Sequence, residues 1–217
     1  MKKLRVLLLT LSLIATVGCS NNASTTNTTT TTESTNTQKG ASNNKEQQPD
    51  DVSKYQATNL VLKSRDEVTN IVKDSFVSSY DEVDDSTSFF PASNQYINNT
   101  CVMPMIGFNH SSGDLGGIML QYVGEELTMF DTIIIKTDND RYERYFGFDS
   151  VTRNIELGYV QESAYMEMDK DLYKMIEDMV NSSKTIVRFS GTINEDYELN
   201  NQNKEDLKTL LDCYTFE

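Results

Sequence analysis

Residues 20–37 are Ser, Thr and Asn with one Ala and one Glu, and nothing else. Residues 38–51 stay polar and include Gly40 and Pro49. Such a stretch buries too little apolar surface to repay the entropy of ordering its backbone, so it is expected to be a disordered tether. A core must come from the C-terminal remainder of the chain. That is roughly 160 residues, enough for one ordinary domain.

The chain opens Met-Lys-Lys-Leu-Arg, continues with an apolar run over Val6–Val17, and exits through Gly18 to Cys19. A basic start, a short apolar run and a small-residue exit form a secretory signal. The run is too short to span a bilayer comfortably as a permanent helix. Gly18-Cys19 resembles the lipobox of bacterial lipoproteins, although Thr16 stands where that family favours Leu. The resemblance implies a diacylglycerol on the Cys19 thiol and cleavage before it, with two acyl chains enough for stable anchoring. Without the lipid, the same start reads as an ordinary secretory signal or a short anchor. The expected division is 1–18 signal peptide, 19–53 lipidated Cys and tether, and 54–217 a single folded domain. A tether of about thirty residues has an r.m.s. reach of roughly 30 Å, which keeps the domain near the extracytoplasmic face. Such a tether also resembles those of Gram-positive lipoproteins.

The formal net charge is −14, and losing Lys2, Lys3 and Arg5 with the signal leaves 16 cations against 33 acids, a net of −17. That surface repels phosphate backbones and anionic headgroups, which argues against nucleic acid and against a domain lying on the membrane.

Three segments repeat apolar residues at helical spacing. Ser64-Arg-Asp-Glu67 spells a capping box ahead of Val68, Ile71, Val72, Phe76 and Tyr80. Met168–Val180 carries Leu172, Met175, Ile176 and Met179 on one stripe. Lys204–Tyr214 carries Leu207, Leu210 and Leu211, capped by Asn200 or Asn201. Candidate strands are Asn59–Leu62, Thr100–Phe108, Gly117–Val123, Leu127–Lys136, Tyr142–Phe148, Ile155–Val160 and Thr185–Gly191. Asp138-Asn139-Asp140 is read as a hairpin turn. The fold class expected from this order is α+β, an antiparallel β-sheet with about three helices packed on one face.

Few residues suggest chemistry. His110 is the only histidine, and it lies beside Ser111 and Ser112. A hydrolase needs its base oriented between a nucleophile and an acid, whereas Gly113, Gly116 and Gly117 suggest only a loop between strands. One histidine cannot make a zinc or copper ligand set. Met103-Pro-Met105 and Met166-Glu-Met168 offer soft donors suited to Cu(I), but Met175 and Met179 fit a helix core. Acidic runs at Asp81–Asp85 and Asp138–Asp140 lack the spelling of a calcium loop. The sequence therefore assigns no metal, no cofactor and no catalytic residue. Cys101 and Cys213 are candidates for a disulfide, which an extracytoplasmic location permits, or for two buried thiols. Arg188 alternates with Val187 and Phe189, so it faces away from them, either paired with a carboxylate or touching a ligand. Ser42-Asn-Asn-Lys45 spells a motif of penicillin-recognising enzymes, but inside the tether it lacks the helix start that motif needs. Thr185–Gly191, Asp196–Leu199 and the helix after them resemble the end of small surface domains in Gram-positive exported proteins, a likeness that implies no activity.

The expectation is thus a membrane-anchored extracytoplasmic lipoprotein, a non-enzymatic module that binds a protein or small ligand. Two alternatives stay open, a small hydrolase of cell-envelope material and an accessory or immunity-type lipoprotein. The hydrolase would draw on His110 or on carboxylates such as Glu125, Glu126 and Asp131. A two-lobed solute-binding protein would need a longer folded part.

Overall fold

A computed structural model describes residues 59–96, 98–156 and 158–217; the signal peptide, Cys19 and the tether lie outside them. Three α-helices are present among the described residues: α1 (Arg65–Val72), α2 (Lys170–Asn181) and α3 (Asn201–Asp212). Twelve strands accompany them.

The six-stranded antiparallel sheet contains β2 (Phe76–Asp81), β3 (Ser86–Pro91), β4 (Cys101–Asn109), β5 (Leu115–Gly124), β8 (Thr152–Glu156) and β9 (Tyr159–Glu167), in the order β2-β3-β4-β5-β9-β8. After β5 the chain leaves it to form β6 (Thr132–Lys136) and β7 (Arg141–Tyr145), then returns for the β8–β9 hairpin. After α2, β10 (Ile186–Ser190) and β11 (Asn194–Glu198) extend the four-stranded sheet, ordered β11-β10-β6-β7. The two-stranded sheet pairs β1 (Leu60–Leu62) with β12 (Tyr214–Phe216), clasping the entry of the domain to its end.

The expectation of one antiparallel sheet with about three helices on one face is overturned. The fold is β-rich, with three sheets and three helices. Two physical reasons account for this. The helix read through Tyr80 stops at Val72, because residues 73–75 form a turn and Phe76 opens β2. Residues four apart share a face in a strand as well as in a helix, so Phe76 and Tyr80 fit both. The excursion between β5 and β8 then divides the remaining strands between separate sheets.

Local chemistry explains the elements that stand. In α1, Glu67 accepts from the Ser64 hydroxyl at 2.5 Å and from the Ser64 backbone N–H at 3.1 Å, and these bonds hold its carboxyl below its usual range. In α2, Asp169 caps the helix by accepting from Leu172 N at 2.7 Å. In α3, Asn200 does the same for Asn203 N at 2.9 Å. Prolines decide where one ladder ends. The β3–β4 pairing stops at Phe89 opposite Ile106; two rungs further, Pro91 would face Pro104, and neither has an N–H to donate. Helix α3 packs against β4 and α2.

The core runs between the sheets and the helices. Phe189 of β10 meets Tyr122 of β5 at 6.2 Å and Phe130 at 5.3 Å, ring centroid to centroid. Gly116, read as loop, and Gly117, read as the first residue of a strand, both lie buried inside β5. A Cβ on Gly116 would collide with the Tyr214 hydroxyl, and one on Gly117 with the Met166 carbonyl.

Candidate functional site

His110 is exposed in the turn between β4 and β5. Asn109 shapes that turn, its side-chain oxygen accepting from Ser111 N and Ser112 N, both at 2.8 Å. The neighbouring β2–β3 turn meets it, since Asn109 Nδ2 donates to the Asp84 carbonyl at 3.3 Å. Together with the start of α1 they bound an open concavity of about 430 Å³ lined by Arg65, Asp85, Phe108, His110 and Asp114 among others. Arg65 donates to Thr87 Oγ1 at 2.5 Å, and Tyr80 donates to Asp85 at 3.0 Å. The hydroxyls of Ser111 and Ser112 share a turn with His110 without a hydrogen bond to its ring, so the geometry assembles no nucleophile with its base among the described residues.

Arg188 stands on the outer face of the four-stranded sheet. It forms a two-pronged pair with Asp196 directly opposite, Nε to Oδ1 at 2.6 Å and Nη2 to Oδ2 at 2.8 Å. The pair raises the guanidinium's pKa and lowers the carboxyl's. Register sets the rest of this face. One rung reads Glu198, Ile186, Lys136, Arg141; the next reads Asp196, Arg188, Ile134, Glu143; the third ends on Tyr145. Val187, Phe189, Ile133 and Ile135 occupy the opposite, buried face. The outer face therefore balances three cations, Lys136, Arg141 and Arg188, against three carboxylates, Glu143, Asp196 and Glu198, with Arg141 paired to Glu143 at 2.7 Å and Tyr145 exposed beside them.

The Asp138–Asp140 run does form the β6–β7 turn. Asp138 is occupied within the fold, its carboxylate accepting from Ser183 N at 2.6 Å, Ser183 Oγ at 2.9 Å and Lys184 N at 3.2 Å. Those bonds pull its pKa from 3.8 to about 2. A carboxyl depressed in the folded state stabilises above its unfolded pKa and loses that contribution as pH falls through the folded one. The clasp between this turn and the α2–β10 loop should therefore weaken between about pH 4 and pH 2. Asp138→Asn should flatten the acid limb of a stability-against-pH curve in that window. An unchanged limb would show that the bonds carry no net stabilisation.

Cys101 and Cys213 are both buried free thiols. Burial pushes each up to about 12, and Cys213 Sγ donates to the Thr209 carbonyl at 3.3 Å. No group of three or more His, Cys, Asp or Glu side chains among the described residues is placed to hold a metal ion. The methionines divide by burial. Met166, Met175 and Met179 are in the core, whereas Met103, Met105 and Met119 are half-buried on the outer face of the six-stranded sheet.

Sequence reasoning missed a buried ionic joint. Glu162 of β9 is fully buried and accepts from Thr128 N at 2.6 Å, Thr128 Oγ1 at 2.6 Å, Met129 N at 3.1 Å and Arg153 Nε at 3.0 Å. Every one of these partners is internal, so the joint is structural. Its one sequence signal is parity, because Glu162 shares a strand face with Val160, Ala164 and Met166.

No protein-family model matches the chain, and no curated protein or solved structure matches it.

Proposed function

We propose that this chain is a lipid-anchored extracytoplasmic binding module, fastened through Cys19 and contacting a partner with the outer face of its four-stranded sheet. The observation that carries the reading is that face. It is solvent-exposed at Lys136, Arg141, Arg188 and Tyr145, and it sets Glu143, Asp196 and Glu198 among those cations. Exposed arginine and tyrosine suit protein contacts. Charges of both signs on the face favour a partner surface that also alternates in sign.

The anchor is tested by labelling cells with palmitate. Wild-type chain should take up label and sediment with membranes, and Cys19→Ser should do neither. Label on both, or on neither, would remove the anchor. The contact face is tested by cross-linking intact cells expressing wild type or Lys136→Glu/Arg141→Glu. Both positions are exposed, so the fold should persist while the cross-linked species disappears. Equal cross-linking by both proteins would place the contact elsewhere.

A further inference from the structure

We infer that Met103, Met105 and Met119 form a binding site for a soft monovalent metal ion of the copper(I) class on the outer face of the six-stranded sheet. Met103 and Met105 are two residues apart on β4, so their side chains leave the same face. The β4–β5 register sets Met119 directly opposite Met103 and Gly117 directly opposite Met105. Met119 is therefore the diagonal neighbour of Met105. Directly opposed Cβ atoms are about 5 Å apart and diagonal ones about 7–8 Å. The unbranched methionine side chain, with three rotatable bonds, spans such gaps. Three thioether sulfurs can thus converge on one point above the sheet.

The donor chemistry selects the ion. Thioethers are soft and uncharged, and they favour Cu(I) over hard divalent cations, which need carboxylate or carbonyl oxygens. They do not titrate, so binding here releases no ligand protons, unlike binding at a thiol or imidazole. All three are partly exposed, so an ion can approach them from solvent.

Tyr165 forms a wall beside the sulfurs. Tyr165 of β9 lies directly opposite Met119, and its hydroxyl reaches to 2.8 Å from where a Gly117 Cβ would stand. The missing Cβ of Gly117 lets the Tyr165 hydroxyl stand beside Met105. An aromatic face near the sulfurs suits a bound cation. Cys101 shares the strand face two residues before Met103 on β4, but it is fully buried, so it is not counted as a ligand.

The test uses the full chain carrying 13C-methyl methionine, titrated anaerobically with Ag(I), a redox-inert stand-in, and then with Cu(I) against a chromophoric chelator. Three methyl resonances should shift together and saturate at one ion per chain, while Zn(II) and Ca(II) move none. Assignment by Met103→Leu, Met105→Leu and Met119→Leu should identify those three. Leucine is close in volume, so the fold should hold. Each substitution should weaken Cu(I) binding by about 100-fold, at least as much as losing an outer-shell partner costs. Shifts in other methyls, no saturable shift, or binding that survives the triple leucine variant but is lost on thiol alkylation would overturn the site.

Discussion

Replacing Glu162 with alanine should lower the unfolding free energy by about 3–5 kcal/mol, because it leaves a largely buried guanidinium without its counter-charge and two backbone donors without their acceptor at once. The Arg153 side chain is 13% exposed and that of Glu162 is 0% exposed. Arg153 has further fixed partners, the carbonyls of Phe130 at 2.9 Å, Phe148 at 3.0 Å and Val151 at 3.2 Å, and its guanidinium stacks 4.4 Å from the Phe148 ring centroid. It cannot follow water outward when the carboxylate is removed. Thr128 and Met129 lose their acceptor in the same step, and these residues belong to the segment that carries the chain from the six-stranded to the four-stranded sheet. In a domain of this size the cost corresponds to a fall in Tm of about 10 °C or more. Glu162→Gln should cost less than alanine, since one amide oxygen still accepts while its NH2 faces Arg153. Denaturant titration of the three proteins decides the matter. A loss under about 1 kcal/mol for alanine would mean that water replaces the carboxylate and that the joint is looser than its geometry.

What the sequence disclosed depends on the range over which each signal acts. Helices α2 and α3 were legible because their apolar stripes and their caps are local, as Leu172, Met175, Ile176 and Met179 show. The central strand β4 was legible because Val102, Ile106 and Phe108 alternate with less buried residues. Strands β2, β3 and β11 were not. Only Phe76 is buried in β2, and β11 reads Asn-Glu-Asp-Tyr-Glu with no apolar run, its strand form imposed by pairing with β10. The strand expected to end at Val160 instead turns at Gly158 (φ 98°) and continues as β9. The binding features divide in the same way. Arg188 could be placed on a face by parity, but its neighbours Lys136 and Arg141 come from register. Met103 and Met105 were visible as a pair, whereas Met119 joins them only through the β4–β5 alignment, which no local pattern records.

That dependence on register makes the joint between the sheets sensitive to a single methyl group. Gly191→Ala should destabilise the domain by about 3 kcal/mol, at the upper end of what overpacking costs. The added Cβ would stand 2.5 Å from the Met129 carbonyl oxygen and still closer to that of Thr128. Both obstacles are backbone, so no rotamer change relieves them. Neither peptide can swing away, because Glu162 holds the Met129 amide, and Thr128 Oγ1, itself bonded to Glu162, holds the Phe130 amide from one side. From the other side Thr192 N donates to the Thr128 carbonyl at 2.7 Å. The same geometry predicts how the two substitutions combine. Once Glu162 is alanine, residues 128–129 are free to move, and part of the collision is relieved. The double variant should then lose less than the sum of the singles, by about 1 kcal/mol. Strict additivity in a double-mutant cycle would show that carboxylate and glycine act on separate parts of the structure, and the idea of one joint gripped from both sides would fail.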